Sequence, residues 1–214
     1  MNQIVQGSPE WFALRCGRVT ASRVADVVAK TKSGPSASRA NYMAELIAER
    51  LTGEPAERFT NAEMQWGNDK EPEARTAYAF ETNTEIEQVG FIEHPTIAMT
   101  GASPDGLVGA DGLVEIKCPN TNTHIETLLG AVVPSKYVTQ MLWQMACTGR
   151  AWCDFVSYNP RLPESMRLFV KRVVRDEARI AELEADVSAF LAELDAKVSA
   201  LVSIYGPPLD ARAA

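Results

Sequence analysis

The sequence predicts an α+β fold, with strands gathered in the middle of the chain and helices on either side. Residues 86–117 and 152–174 alternate apolar and polar residues between Gly, Asn and Pro, which is the pattern of short strands. Around them, residues 8–30, 40–52, 61–82, 120–130, 134–148 and 176–202 repeat apolar side chains at three- and four-residue steps, the helical period. The chain has 214 residues, 46% hydrophobic and 23% charged, enough for one substantial core and too few for two. The reading is therefore one domain over residues 1–205, followed by a tail at 206–214.

Charge and cysteine usage narrow the class. Net charge is −7, with 21 Lys and Arg against 28 Asp and Glu. Such a balance argues against a protein whose whole surface binds nucleic acid, because phosphate contacts rest on cations. It leaves room for a local basic channel. No apolar run reaches the roughly 20 residues of a membrane span, and the first residues lack the basic and apolar regions of a secretory signal. A cytoplasmic protein is expected. Cys16, Cys118, Cys147 and Cys153 form no CxxC pair and flank no zinc-type His spacing, so they read as reduced thiols.

In chain order, Ser8 caps a short helix with Pro9 at its first position, ending near Gly17. Thr20 or Ser22 is the expected cap of a second helix bearing Val24, Val27 and Val28. A helix N-terminus beside Arg15 and Arg18 is a ready phosphate site, and spacing does not choose between the two arginines. Residues 31–39 read as a polar loop. The helix over 61–82 contains Pro72, which should kink it or mark a fresh start. Just before the proline, Glu71 is either an exposed helix glutamate or a carboxylate aimed at the sheet. Residues 86–94 and 97–102 read as strands, with His94 in a turn. Asn120 or Thr121 caps the helix over 120–130, on which His124 is expected to be exposed. On the helix over 134–148, Tyr137, Gln140, Met141 and Gln144 share a face. A glutamine there is either buried and hydrogen-bonded or directed into a site. Strands at 152–158 and 166–174 precede a long helix over 176–202. Its stripe, from Ile180 to Leu201, packs on the domain or on a neighbouring subunit.

The stretch that carries chemistry is Ser103-Pro104-Asp105-Gly106, a spacer, and Leu113-Val114-Glu115-Ile116-Lys117. Asp111-Gly112 is a hairpin turn signal. Glu115 and Lys117 stand two apart on one strand and so share a face with Asp105 nearby, while Ile116 points into the core. Two carboxylates and a lysine on a sheet edge suit a divalent-metal phosphodiesterase, since Mg²⁺ prefers oxygen ligands and the lysine can orient or deprotonate water. The same Glu-x-Lys on an exposed strand is also an ordinary charge-balanced surface.

The ordered set Trp11, Arg15, Thr20-Ala21-Ser22, Trp66-Gly67, Glu71, Ser103-Pro104-Asp105-Gly106, Glu115-Ile116-Lys117-Cys118-Pro119, Tyr137 and Gln140 resembles the lambda-type alkaline exonucleases of phages. These are the YqaJ-like viral recombinases of the PD-(D/E)xK nuclease superfamily. The resemblance runs over about residues 8–175. It implies a restriction-endonuclease-like core, a central mixed sheet flanked by helices, and an Mg²⁺-dependent exodeoxyribonuclease that degrades one strand of linear duplex DNA from 5′ to 3′ in phage-type recombination. Asp105 and Glu115 correspond to the metal carboxylates, the Ile116 carbonyl and Glu71 to further metal ligands, and Lys117 to the catalytic lysine, whose pKa must be low for it to act as a base. Gln140 corresponds to the family's glutamine near the nucleophilic water. Arg15 and Ser22 correspond to the pair that holds the 5′ phosphate. Mn²⁺ is the alternative metal, and no iron–sulfur cluster is implied. Implied partners are double-stranded DNA ends, further copies of the chain in a trimeric ring, and a single-strand annealing protein, in the cytoplasm of a bacterial host and away from the membrane. The other readings are a catalytically inactive DNA-end-binding or assembly subunit and an iron–sulfur RecB-type nuclease.

Overall fold

The computed structural model describes residues 4–32, 34–56 and 61–206; most of the expected tail lies outside them. Helix α1 (Pro9–Arg15) begins where Ser8 accepts a hydrogen bond from the Trp11 N–H, as its sequence implies. Strand β1 (Val19–Thr20) leads through a 3₁₀ turn (Ala21–Arg23) into α2 (Val24–Val28). Neither Thr20 nor Ser22 caps α2: the intervening turn places Arg23 at that position, and no side chain caps there. The stretch expected to be loop holds a small hairpin, β2 (Lys30–Thr31) with β3 (Gly34–Pro35). Ser36 then starts α3 (Ala37–Thr52), which Gly53 ends at φ 71°.

Asn61 caps α4 (Ala62–Thr82), and Pro72 lies inside this helix instead of starting a new one. A proline removes one N–H rung, but Ala74 and Tyr78 just beyond it are fully buried, and their packing carries the helix on. The expected strand over 86–94 is split. Its halves, β4 (Ile86–Glu87) and β5 (Ile92–Glu93), join different sheets. Between them the chain passes so close under the N-terminal segment that a Cβ at Gly90 would stand 2.4 Å from the Ile4 carbonyl oxygen.

Next come β6 (Thr100–Ala102), β7 (Gly106–Val108), β8 (Gly112–Lys117), α5 (Thr121–Gly130), α6 (Ser135–Thr148), β9 (Trp152–Tyr158), β10 (Leu168–Val174) and α7 (Glu177–Tyr205). The larger sheet has the order β10-β9-β8-β7-β4 and is mixed: β8 runs parallel to β9, while its other pairs are antiparallel. A smaller sheet, β1-β6-β5, pairs Val19 with Thr100 in parallel. The architecture is thus α+β with mixed sheets. In the β7–β8 hairpin the left-handed residue is Gly109 (φ 53°), so the turn is Gly109-Ala110-Asp111 and not Asp111-Gly112. Gly112 is needed for another reason: a Cβ there would sit 2.1 Å from the Trp152 ring.

Alternation along β8 sorts its side chains. Leu113 joins the core cluster built from α2, α3, α6 and α7 with Tyr42, Trp143, Phe155 and Phe190, whereas Val114 and Ile116 join the cluster of α4 with Tyr78 and Val156. Glu115 and Lys117 therefore share the Leu113 face, under α6. The stripe of α7 from Ile180 to Leu194 is buried on this same core, which settles it against the domain. His124 corrects its expectation. It is fully buried, with Nε2 donating to the Met166 carbonyl (2.9 Å) and Nδ1 accepting from Ser157 Oγ (2.7 Å). Among the described residues no helix is long and apolar enough to cross a membrane.

Candidate active site

Asp105 ends the Ser103-Pro104 approach to β7, and its Oδ2 accepts from the Ile116 N–H (2.6 Å). That bond ties the carboxylate to the C-terminal end of the facing strand, β8. Glu115, on the other face of β8 from Ile116, is completely buried. Its two oxygens are held separately. Gln140 Nε2 donates to Oε1 (2.7 Å) and Gln144 Nε2 donates to Oε2 (2.5 Å), both from one face of α6. The Lys117 ammonium also pairs with Glu115 Oε1. The two glutamines differ in burial: Gln144 lies in the interior and Gln140 is half-buried, and both bond the same carboxylate.

Glu71 approaches from α4, half-buried and paired with Arg75 one turn on. Its charge reaches Asp105. Burial first, then the charges of Glu115 and Glu71, hold the Asp105 carboxyl well above the ordinary aspartate range, and Lys117 only partly offsets them. Burial pulls the Lys117 ammonium down, but Glu115 and Asp105 push it up by more, so the net shift is upward. A lowered lysine pKa, expected of a base, is not what this arrangement gives: Lys117 is a cation held against carboxylates. Burial likewise pushes the Cys118 thiol up to about 12, and Cys147 and Cys153 rise for the same first reason, so these thiols are inert.

The N-terminal arginines separate. Arg18 Nη1 donates to Glu93 (2.5 Å). Arg15 is buried, lies over the Trp11 ring (3.9 Å) and donates from Nη1 to Ser103 Oγ (3.2 Å), which also accepts from Trp11 Nε1 (2.9 Å). Ser22 is exposed, its Oγ 3.4 Å from Thr20 Oγ1. Thr20 pairs with Gly101, so Ser22 and Ser103 both stand two residues beyond one register position. Arg15 thus borders the Ser103 segment that leads to Asp105. Beside them opens a cavity of about 680 Å³ lined by Trp11, Phe12, Met64, Glu71, Arg75 and Asp105, among others.

Could the site hold a divalent cation? Its oxygen donors suit a hard ion, and the mutual repulsion that raises Asp105 is what such a charge would relieve. Among the described residues no three His, Cys, Asp or Glu side chains converge tightly enough to enclose a metal. Sequence reasoning gave Gln144, Ser103 and Trp11 no role in the site. The signal for Gln144 was present, a second polar residue one turn from Gln140 on an otherwise apolar face. Nothing local marks Ser103 as the meeting point of α1 and the hairpin.

Over 91% of this chain and 96% of the other, the structure is similar to an alkaline exonuclease, LHK-Exo, from Laribacter hongkongensis, with 59% identity and a TM-score of 0.85. A second structure of LHK-Exo, in complex with dAMP, covers 92% and 97% at 58% identity and a TM-score of 0.87. A phage-related exonuclease from Haemophilus somnus shares the fold alone, with 15% identity, 86% and 96% coverage and a TM-score of 0.72. No curated protein matches. Residues 10–151, from the α1 arginine through the hairpin to the glutamines of α6, match the YqaJ-like viral recombinase domain, and the chain belongs to that family.

Proposed function

We propose that this chain is an Mg²⁺-dependent exodeoxyribonuclease that degrades one strand of linear double-stranded DNA from 5′ to 3′, with Mn²⁺ as an alternative metal. Exonuclease activity of the alkaline, phage-related kind follows from its 59% identity to LHK-Exo. The finer reading rests on one observation: a single hairpin gathers Asp105, Glu115 and Lys117, and Ser103 at its root contacts Arg15. Chemistry and end recognition are thereby two residues apart along the chain. The crystallisation of LHK-Exo with dAMP fits a DNA substrate.

Each residue has a role in this reading. Asp105 and Glu115, with the Ile116 carbonyl and Glu71, would hold Mg²⁺, which supplies Lewis-acid activation of a water and of the phosphoryl oxygen. Lys117, kept cationic, orients the attacking water and stabilises charge on the phosphorane-like transition state. Gln140 is solvent-reaching where Gln144 is not, and is placed to contact that water. Arg15 and Ser22 bind the terminal 5′ phosphate, an arginine suiting a phosphate monoester. The mixed sheet with α4 and α6 on its faces is read as a PD-(D/E)xK core, and residues 1–205 as one nuclease unit. The physiological setting would be phage-type recombination in a bacterial cytoplasm, as a homo-oligomer, a trimeric ring, beside a single-strand annealing protein.

The test is digestion of linear duplex labelled at one end or the other, with Mg²⁺ and with EDTA. Loss of label from the 5′ end first, only with Mg²⁺, is the expected result. Release from the 3′ end first, or persistence in EDTA, would overturn the polarity or the metal dependence respectively.

A further inference from the structure

Glu115 carries more restraint than the proposed chemistry alone requires. Lys117 and Gln140 both reach Oε1 and both have access to solvent, so either can exchange Glu115 for water or substrate. Oε2 is different. Its partner, Gln144, is wholly buried one turn deeper on α6. The Gln144 amide is itself oriented, because its Oε1 accepts from the thiol of Cys153 on β9 (3.7 Å), which leaves Nε2 to face Glu115. A buried glutamine that accepts on one side and donates on the other has one satisfied orientation. The chain Cys153–Gln144–Glu115 therefore links the core of α6 and β9 to the carboxylate on β8.

We infer that Gln144 is a positioning residue of the cleavage site: by holding Oε2 of Glu115 in the interior, it leaves Oε1 alone to meet the cation and Lys117. The inference rests on the proposed assignment of Glu115 as a metal ligand. Without the Gln144 N–H, Oε2 is left buried and unsatisfied, and the carboxylate turns to share Lys117 through both oxygens. Oε1, which already accepts from the ammonium, is then no longer fixed in the position that meets the cation. Partners of this kind, behind the ligands themselves, commonly change metal affinity by about 10- to 100-fold.

The discriminating variant is Gln144→Met, which keeps the length and apolar stem and removes the N–H. Calorimetric titration of the DNA-free protein with Mg²⁺ or Mn²⁺ reads binding without turnover, and cleavage against Mg²⁺ concentration reads the same quantity kinetically. The expected result is a roughly 10-fold or greater loss of metal affinity, with a folded circular-dichroism spectrum in EDTA and cleavage largely restored at high metal. A residue that only fills space predicts unchanged affinity, and that result would overturn the inference. If Gln144→Met does not fold, Cys153→Ala decides, since it removes only the group that orients the amide. A weakened metal titration supports the inference, and an unchanged one rejects it. Glu115→Gln separates this from the underlying reading. If that variant still binds metal like the parent chain, Glu115 is not a ligand and the metal assignment fails first; if it loses binding while Gln144→Met keeps it, only the role of Gln144 fails.

Discussion

Lys117 concentrates the electrostatics of the site. It lies between Glu115 and Asp105, and their fields outweigh its burial, so it stays charged. Lys117→Ala removes the cation while the hairpin keeps the Asp105–Ile116 bond that positions it. Cleavage with Mg²⁺ should fall by about three orders of magnitude or more, the scale of losing a main electrostatic stabiliser, while circular dichroism and duplex binding stay near normal. Near-normal turnover by the variant would remove Lys117 from the mechanism. Arg15 invites a different comparison. Arg15→Ala should slow degradation of 5′-phosphorylated duplex by about 10-fold or more, since a hydrogen bond to a charged group is worth about 1.5–3 kcal/mol, and should leave 5′-hydroxyl ends nearly unaffected. Equal slowing on both kinds of end would mean that the arginine supports the Ser103 contact and reads no phosphate. The motif residues were legible in the sequence because their chemistry is short-range: Glu115 and Lys117 share a face by strand period alone. Spacing alone did not choose between Arg15 and Arg18; the family resemblance selected Arg15, and the fold sets it against Ser103, 88 residues away.

At the scale of elements, the sequence disclosed helices and strands wherever the pattern was long. It failed where tertiary packing decided. His124 read as exposed because its helix has few apolar residues, yet Ser157 and the Met166 carbonyl satisfy both ring nitrogens in the interior. Gly112 read as a turn residue, but the constraint on it comes from Trp152, whose ring is in turn held by the Arg172 guanidinium at 3.5 Å. Gly112→Ala should therefore cost about 1–3 kcal/mol in urea unfolding, the range for overpacking a filled site; an unchanged midpoint would show that the Trp152 ring moves aside freely. His94 makes a second prediction here. Its Nδ1 accepts from the Thr96 and Ile97 N–H groups, so Nε2 carries the proton and faces Glu184 (3.2 Å). Burial lowers its pKa more than Glu184 raises it. The folded value thus lies below the unfolded one, and the contribution of the neutral ring is full above about pH 6.5 and lost as pH falls from there toward the folded value. Between about pH 7.5 and pH 5.5 the parent chain should lose more stability than His94→Phe, which keeps the stack on Trp143. Parallel pH profiles would exclude His94 as the cause.

For the molecule as a whole, the site is a charge problem solved by layer geometry. Helix α6 covers the Glu115 face of the sheet and α4 the opposite face, so the charges of Glu71 and Glu115 reach Asp105 from opposite layers. Glu71 has Arg75 as its partner, which leaves Asp105 and Glu115 to share Lys117. In a chain of net charge −7 no general positive field compensates this, and the compensation must be local. Without a cation, Asp105 is a liability. Its folded pKa lies above the unfolded value, so its contribution is fully present below about pH 3.9 and is lost as pH rises through the folded value. At neutral pH, Asp105→Asn should accordingly raise the melting temperature in EDTA, since an amide oxygen can still accept from the Ile116 N–H without carrying the charge. Mg²⁺ should then separate the two proteins. A ligand that binds only the folded state stabilises by about 2.7 kcal/mol at one hundred times its Kd, so the parent chain should melt higher in Mg²⁺ than in EDTA, while Asp105→Asn should melt alike in both. Were the variant to gain as much from Mg²⁺ as the parent chain, the cation would be binding elsewhere, and Asp105 would not be where the chain holds its metal.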